Sequence, residues 1–196
     1  MRSNPPVRLT TRSADMDARE YVKRFRHRER FIGFCRDCPM YGRQYGCPPF
    51  DADPTDGCPA DGTVTTWLTE IEPELPAGAP GLPLSLGDRL MALARDRVEP
   101  ELLRAECQTG GRAFVGVGRC TRCGDERCSR LTGAPCRHPD VVRPSLEAAG
   151  FDVEAIAREL FGVEIQWGAD GLLPSRLHLV TALWHGRRPE SKQNRQ

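Results

Sequence analysis

The chain has 196 residues, 39% of them hydrophobic, and a formal net charge of +1 at neutral pH. That length suits one sizeable core, and so small a charge excludes bulk electrostatic attraction to nucleic acid or an anionic membrane. No apolar run approaches the roughly 20 residues of a membrane span, and the opening residues MRSNPPVRLTTRSADMD lack the apolar core of a secretory signal, so a cytoplasmic location is expected, where thiols stay reduced.

Residues 1–15 are polar and carry Pro5 and Pro6, and are expected to form a disordered tail. From about Ala14 a helical pattern begins, with Met16, Tyr21, Val22, Phe25 and Phe31 as its apolar face. Arg19, Lys23, Arg24, Arg26, Arg28 and Arg30 make the other side basic, which reads first as a solvated face. The stretch FCRDCPMYGRQYGCPPF follows, with Cys35 and Cys38 spaced C-x2-C and Cys47 eight residues on. Pro48 and Pro49 forbid a helix there.

Residues 63–71 (TVTTWLTEI) are β-branched and partly alternating, as a strand requires. Residues 74–83 form a Pro/Gly-rich loop. Residues 86–107 repeat Leu90, Leu93, Ala94, Val98, Leu102 and Leu103 at helical steps, with Pro100 expected to divide or kink the helix and Gly110 and Gly111 to stop it. Residues 112–118 (RAFVGVG) read as a second strand leading into Cys120. After the loop, 144–150 (PSLEAAG) reads as a short helix begun by Pro144, which makes Glu147 a helix-surface residue. Asp152 is placed to cap a helix over VEAIARELF. Residues 163–167 and 176–184 read as third and fourth strands, and residues 186–196 as a disordered tail. The expected fold is a single α+β domain over residues 16–185, with a small mixed four-stranded sheet, helices packed on one face and cysteine-rich metal loops.

The nine cysteines carry the chemistry. An odd number in a reducing compartment argues against a disulfide framework. Cys120, Cys123, Cys128 and Cys136 fall within seventeen residues as C-x2-C-x4-C-x7-C, with Pro139 soon after. Gly124, Gly133 and Pro135 supply the bends that bring four thiolates round a soft metal. The earlier group has three clear members, Cys35, Cys38 and Cys47. Cys58, Cys107 and His27 are candidates for a fourth, and Cys58 and Cys107 also read as small buried hydrophobes.

Zinc modules commonly carry two C-x2-C knuckles about 12 to 20 residues apart, and neither group does. Close cysteines, glycines and a proline after the last cysteine favour an iron–sulfur cluster of the [4Fe–4S] type, one or two of them, over zinc. Arg137 and Arg143 flank the last cysteine. They are candidates either to offset the charge of thiolates and cluster or to bind an anion beside it. His138 reads as a supporting residue.

The segments YGRQYGCPPF, GRCTRC and GAPCRHPDVVRPSLEAAGFDV together resemble the uncharacterised family of predicted metal-binding proteins, domain of unknown function 2284. The likeness runs from about residue 21 to 185. It implies cysteine-bound metal at Cys35, Cys38, Cys47, Cys120, Cys123, Cys128 and Cys136, and no particular reaction. Neither a G-x-G-x-x-G turn nor a GKS/T loop is present. The leading expectation is an iron–sulfur protein passing electrons to, or helping to mature, a partner enzyme. The alternatives are an enzyme whose three-cysteine cluster binds substrate at an open iron, and a zinc-stabilised interaction module. No membrane or nucleic-acid partner is expected.

Overall fold

The computed structural model describes residues 6–75, 78–79, 81–124 and 126–186. Four strands form one sheet in the order β1-β2-β4-β3: β1 Val7–Asp17, β2 Thr63–Pro73, β3 Arg112–Phe114 and β4 Leu177–His185. Every pairing is antiparallel, so the sheet is not mixed. Four α-helices accompany it: α1 Ala18–Phe25, α2 Arg28–Asp37, α3 Gly87–Thr109 and α4 Val153–Phe161.

Alternation along the central strands sends side chains to two faces, and both faces are covered. Val64 and Leu68 of β2 and Val180, Ala182 and Trp184 of β4 join Tyr21 and Phe25 of α1, Ile156 of α4, and Leu146 and Phe151. Ile71 and Leu179 on the opposite face meet Ala94 of α3, and Leu183 meets Leu102. Helices therefore pack on both sides of the sheet, where one side was expected. The α+β class and the strand count stand, but two of the strands differ from expectation.

Strand β1 replaces the expected polar tail from Val7 onward, and residues 1–5 lie outside the described residues. Its polarity misleads because it is an edge strand. It pairs with β2 over its whole length, from Val7 opposite Pro73 to Asp17 opposite Thr63. Arg8 and Arg12 reach Glu72 and Glu70 across the ladder at 2.8 and 3.1 Å, a usual way of making an edge polar. Residues 163–167 form no strand. Val163 and Ile165 do pack against the core, but alternation reports a covered face, not a ladder partner. The expected tail from 187 onward lies outside the described residues.

Helix α1 begins at Ala18, later than expected, where the Asp17 carboxylate accepts the N–H groups of Arg19 and Glu20 at 3.0 and 3.3 Å. Phe31 belongs to the separate helix α2. Helix α3 runs through Pro100 without division and ends at Gly110, which takes φ +63°. Asp152 caps α4 by accepting from Ala155 N–H at 3.0 Å.

Strand β3 is only three residues long because the chain leaves the sheet at Val115. There the N–H groups of Val115 and Gly116 donate instead to the Pro144 carbonyl at 3.0 and 3.2 Å. The approach is so close that a Cβ on Gly116 would stand 2.1 Å from the Arg143 oxygen, so only glycine fits. This crossing holds residues 143–150 against the base of the cysteine loop. Those residues form turns rather than the expected short helix.

Candidate metal centre

Cys35 lies in the last turn of α2 and Cys38 is the residue that ends it. Successive turns then bend the chain back: Tyr41 N–H donates to the Cys38 carbonyl at 3.0 Å, Gly42 N–H to Pro48 at 2.8 Å, and Cys47 N–H to Gln44 at 3.1 Å. As a result Cys35, Cys38 and Cys47 line one cavity of about 370 Å³, which Glu147 also borders. Burial pushes the Cys35 thiol up to about 11, helped by the negative charge of Cys47, Glu147 and Cys38. Burial also raises Cys47, against a lowering by its hydrogen bond with Gln44. Burial thus disfavours the thiolate at both Cys35 and Cys47, and a bound metal would make a coordinating thiol lose its proton.

The second group lies on the irregular segment 120–136. A short 3-10 helix, Ser129–Thr132, interrupts it directly after Cys128. Burial raises the Cys120 thiol, against a lowering by the Arg122 N–H and the Arg95 charge, and the charges of Cys123 and Cys128 add to the rise. Cys136 accepts the His138 N–H at 3.4 Å. All nine cysteines are free thiols.

Gln44 joins the two groups. Its amide nitrogen donates to the Cys47 sulfur at 3.1 Å and its oxygen accepts the Cys120 N–H at 2.8 Å. Arg130, on the second segment, donates to the carbonyls of Gln44 and Cys47 at 2.8 and 2.6 Å and also reaches Pro49. Tyr45 returns the contact through its hydroxyl to Ala134 at 2.6 Å. The charge of Cys120 is felt at Cys47.

The buried polar face of α3 supports the second segment from below. Arg95 donates to Glu99 at 2.6 Å and to the carbonyls of Val117 and Arg119 at 2.7 and 2.9 Å. Glu99 also pairs with Arg122. Glu106 accepts from Ala113 N–H at 2.8 Å and from Arg143 through both oxygens at 2.9 Å. Arg143 is thus committed to Glu106. Arg137 is exposed, donates to the Arg127 carbonyl at 3.1 Å and pairs with Glu126 at 3.2 Å, and its pKa is raised, first by Cys123.

The proposed fourth members of the first group lie elsewhere. Cys58 packs against the large core cluster, where burial pushes its thiol up to about 11. Cys107 is exposed on α3. His27 precedes α2, its backbone N–H held by the Gly150 carbonyl at 2.8 Å. Glu147, expected on a helix surface, is instead one of two acidic residues at the cavity, with Asp88. Its Oε2 is buried and its pKa is raised, first by burial. Sequence spacing could not show this, nor the roles of Gln44, Arg95, Glu99 and Glu106.

Among the described residues, no three His, Cys, Asp or Glu side chains gather closely enough to hold a single metal ion. A tetrahedral zinc site, with bonds of about 2.3 Å to sulfur, brings its thiolates to roughly 3.8 Å of one another. The first group stands instead around an open volume, which fits a larger, polynuclear group bound by sulfur.

Free thiols gathered in two groups on an α+β scaffold fit a cysteine-rich metal-binding protein. Residues 87–183 match the family model described as predicted metal-binding protein (DUF2284). The match takes in α3, the whole second cysteine group and Glu147, and does not extend to Cys35, Cys38 and Cys47. No curated protein and no solved structure matches the chain. No helix among the described residues is long and apolar enough to cross a membrane.

Proposed function

We propose that the protein carries iron–sulfur clusters of the [4Fe–4S] type and passes electrons to, or acts as an accessory of, a partner enzyme. One centre is assigned to Cys35, Cys38 and Cys47 and the other to Cys120, Cys123, Cys128 and Cys136. The observation that carries this reading is the adjacency of two thiol groups, joined through Gln44 from Cys47 to Cys120. Such clusters supply one-electron redox chemistry, tuned by hydrogen bonds to sulfur and by burial. The Gln44 amide supplies such a bond to Cys47, and the His138 N–H supplies one to Cys136. Nine free thiols fit a reducing compartment such as the cytoplasm.

A second reading is an enzyme that binds substrate at an iron left open by the three-cysteine group, favoured by the cavity beside those thiols. Zinc in the second group is the alternative for the metal.

The test is iron, sulfide and zinc content of anaerobically purified protein, with its visible spectrum and a reductive titration. About four irons and four sulfides per centre, with reversible bleaching, are expected. A colourless protein with stoichiometric zinc overturns the iron–sulfur reading. A cluster that cannot be reversibly reduced overturns electron transfer.

A further inference from the structure

A cubane cluster has four irons to ligate, and the first group offers three thiols. The missing donor is a question of which side chain stands in the wall of that cavity. Cys58, Cys107 and His27 do not line it. Cys120 does not line it either.

Two carboxylates line it together with all three thiols: Asp88, exposed in the first turn of α3, and Glu147, whose Oε2 is buried. The Ser145 hydroxyl, which accepts the Ala148 N–H at 3.1 Å, lowers the Glu147 pKa but does not outweigh burial. Oε2 is buried and has no hydrogen-bond partner. Buried acceptors are rarely left in that state, because loss of water without a replacement is unfavourable, and a cation bound at the oxygen would offset that loss. The turn that carries Glu147 is fixed by the contact of Gly116 with residues 143–144 and by the Gly150 carbonyl, which accepts from His27 at 2.8 Å.

We propose that Glu147 is the fourth protein ligand of the first centre, its carboxylate binding the iron that Cys35, Cys38 and Cys47 leave unligated. This rests on the iron–sulfur reading of the same site. It also closes the position that an open-iron enzyme would need. Oxygen is a harder donor than sulfur, so the iron at Glu147 differs from the other three and is the most readily lost.

The experiment compares wild type, Glu147→Gln and Glu147→Cys, each anaerobically reconstituted with iron and sulfide, by metal content, Mössbauer spectroscopy and electron paramagnetic resonance. Wild type should show one distinct iron in the first centre. Glu147→Gln should lose about one iron in four from that centre and give a three-iron signal on oxidation. Glu147→Cys should retain the iron and abolish its distinctness. Matching far-UV circular dichroism separates loss of iron from loss of fold, and if Glu147→Gln does not fold, the Glu147→Cys spectrum decides. Spectra and iron counts unchanged in both variants overturn the ligand assignment while leaving the cluster in place. A wild type without iron overturns both.

Discussion

Cys35, Cys38 and Cys47 hang from the end of a helix and a run of tight turns, whereas Cys120 to Cys136 lie on a segment whose described regular structure is a single 3-10 turn. The first group is organised by its own backbone hydrogen bonds. The second has short backbone turns of its own, such as Gly124 N–H to Thr121 and Leu131 N–H to Cys128, and is held in addition by buried charges on α3 and by Gln44 of the first group. Similar donors can therefore be positioned by local turns or by turns reinforced with long-range ion pairs. The second arrangement should depend more on bound metal for its order, since its described residues carry no α-helix, whereas Cys35 stands in the last turn of α2.

Comparison of Cys47→Ser with Cys120→Ser is the strongest way to break this contrast. Each should lose the metal of its own centre, and Cys120→Ser should lower the thermal midpoint further. Full metal retention in either variant contradicts the ligand assignment, and equal midpoints contradict the difference in support. Next comes Arg143→Met, which leaves Glu106 buried without its cation. Breaking a buried pair costs about 3 kcal/mol or more, measurable as a shift of the urea midpoint. The deficit should appear together with weakened metal retention at Cys120 to Cys136, not at Cys47.

Gln44→Leu probes the join. It removes the donor to Cys47 and strands the Cys120 N–H, at a cost of about 2 kcal/mol. Both centres should change spectroscopically. A change confined to one would mean that they are supported independently.

The smallest expected effect concerns Asp53, in the loop after the first group. Burial raises its pKa, but hydrogen bonds from Arg26 and Thr55 and the Arg26 charge outweigh that and lower it to about 2. Its stabilising contribution is complete above the unfolded value of about 4 and is lost as pH falls through about 2. Wild type and Asp53→Asn should thus differ in unfolding midpoint at neutral pH and converge in strong acid. A gap that persists there would assign the effect to something other than this carboxylate.

What could be read from sequence in these two regions follows the range of the interaction. The C-x2-C pairs and the apolar repeat of α3 are set within a few residues. So is the Asp152 cap, which the structure places on Ala155 N–H. Strand β1 was hidden because an edge strand is stabilised by its ladder and by cross-strand charges such as Arg12 with Glu70, which leave little hydrophobic signal. Residues 163–167 misled for the opposite reason, since their alternation reflects packing alone.

The sequence by itself determined the α+β class, the positions of the central strands β2 and β4, and the two cysteine groups as candidate ligands. Each rests on periodicity or spacing within a short stretch. Tertiary structure alone decided that the groups adjoin through Gln44 and that Arg143 is bound to Glu106. It alone placed Glu147 in the wall of the three-thiol cavity. Those pairings span 37 to more than 100 residues of chain, and a polar side chain's partner at that distance is fixed by how the elements pack, not by its neighbours in sequence.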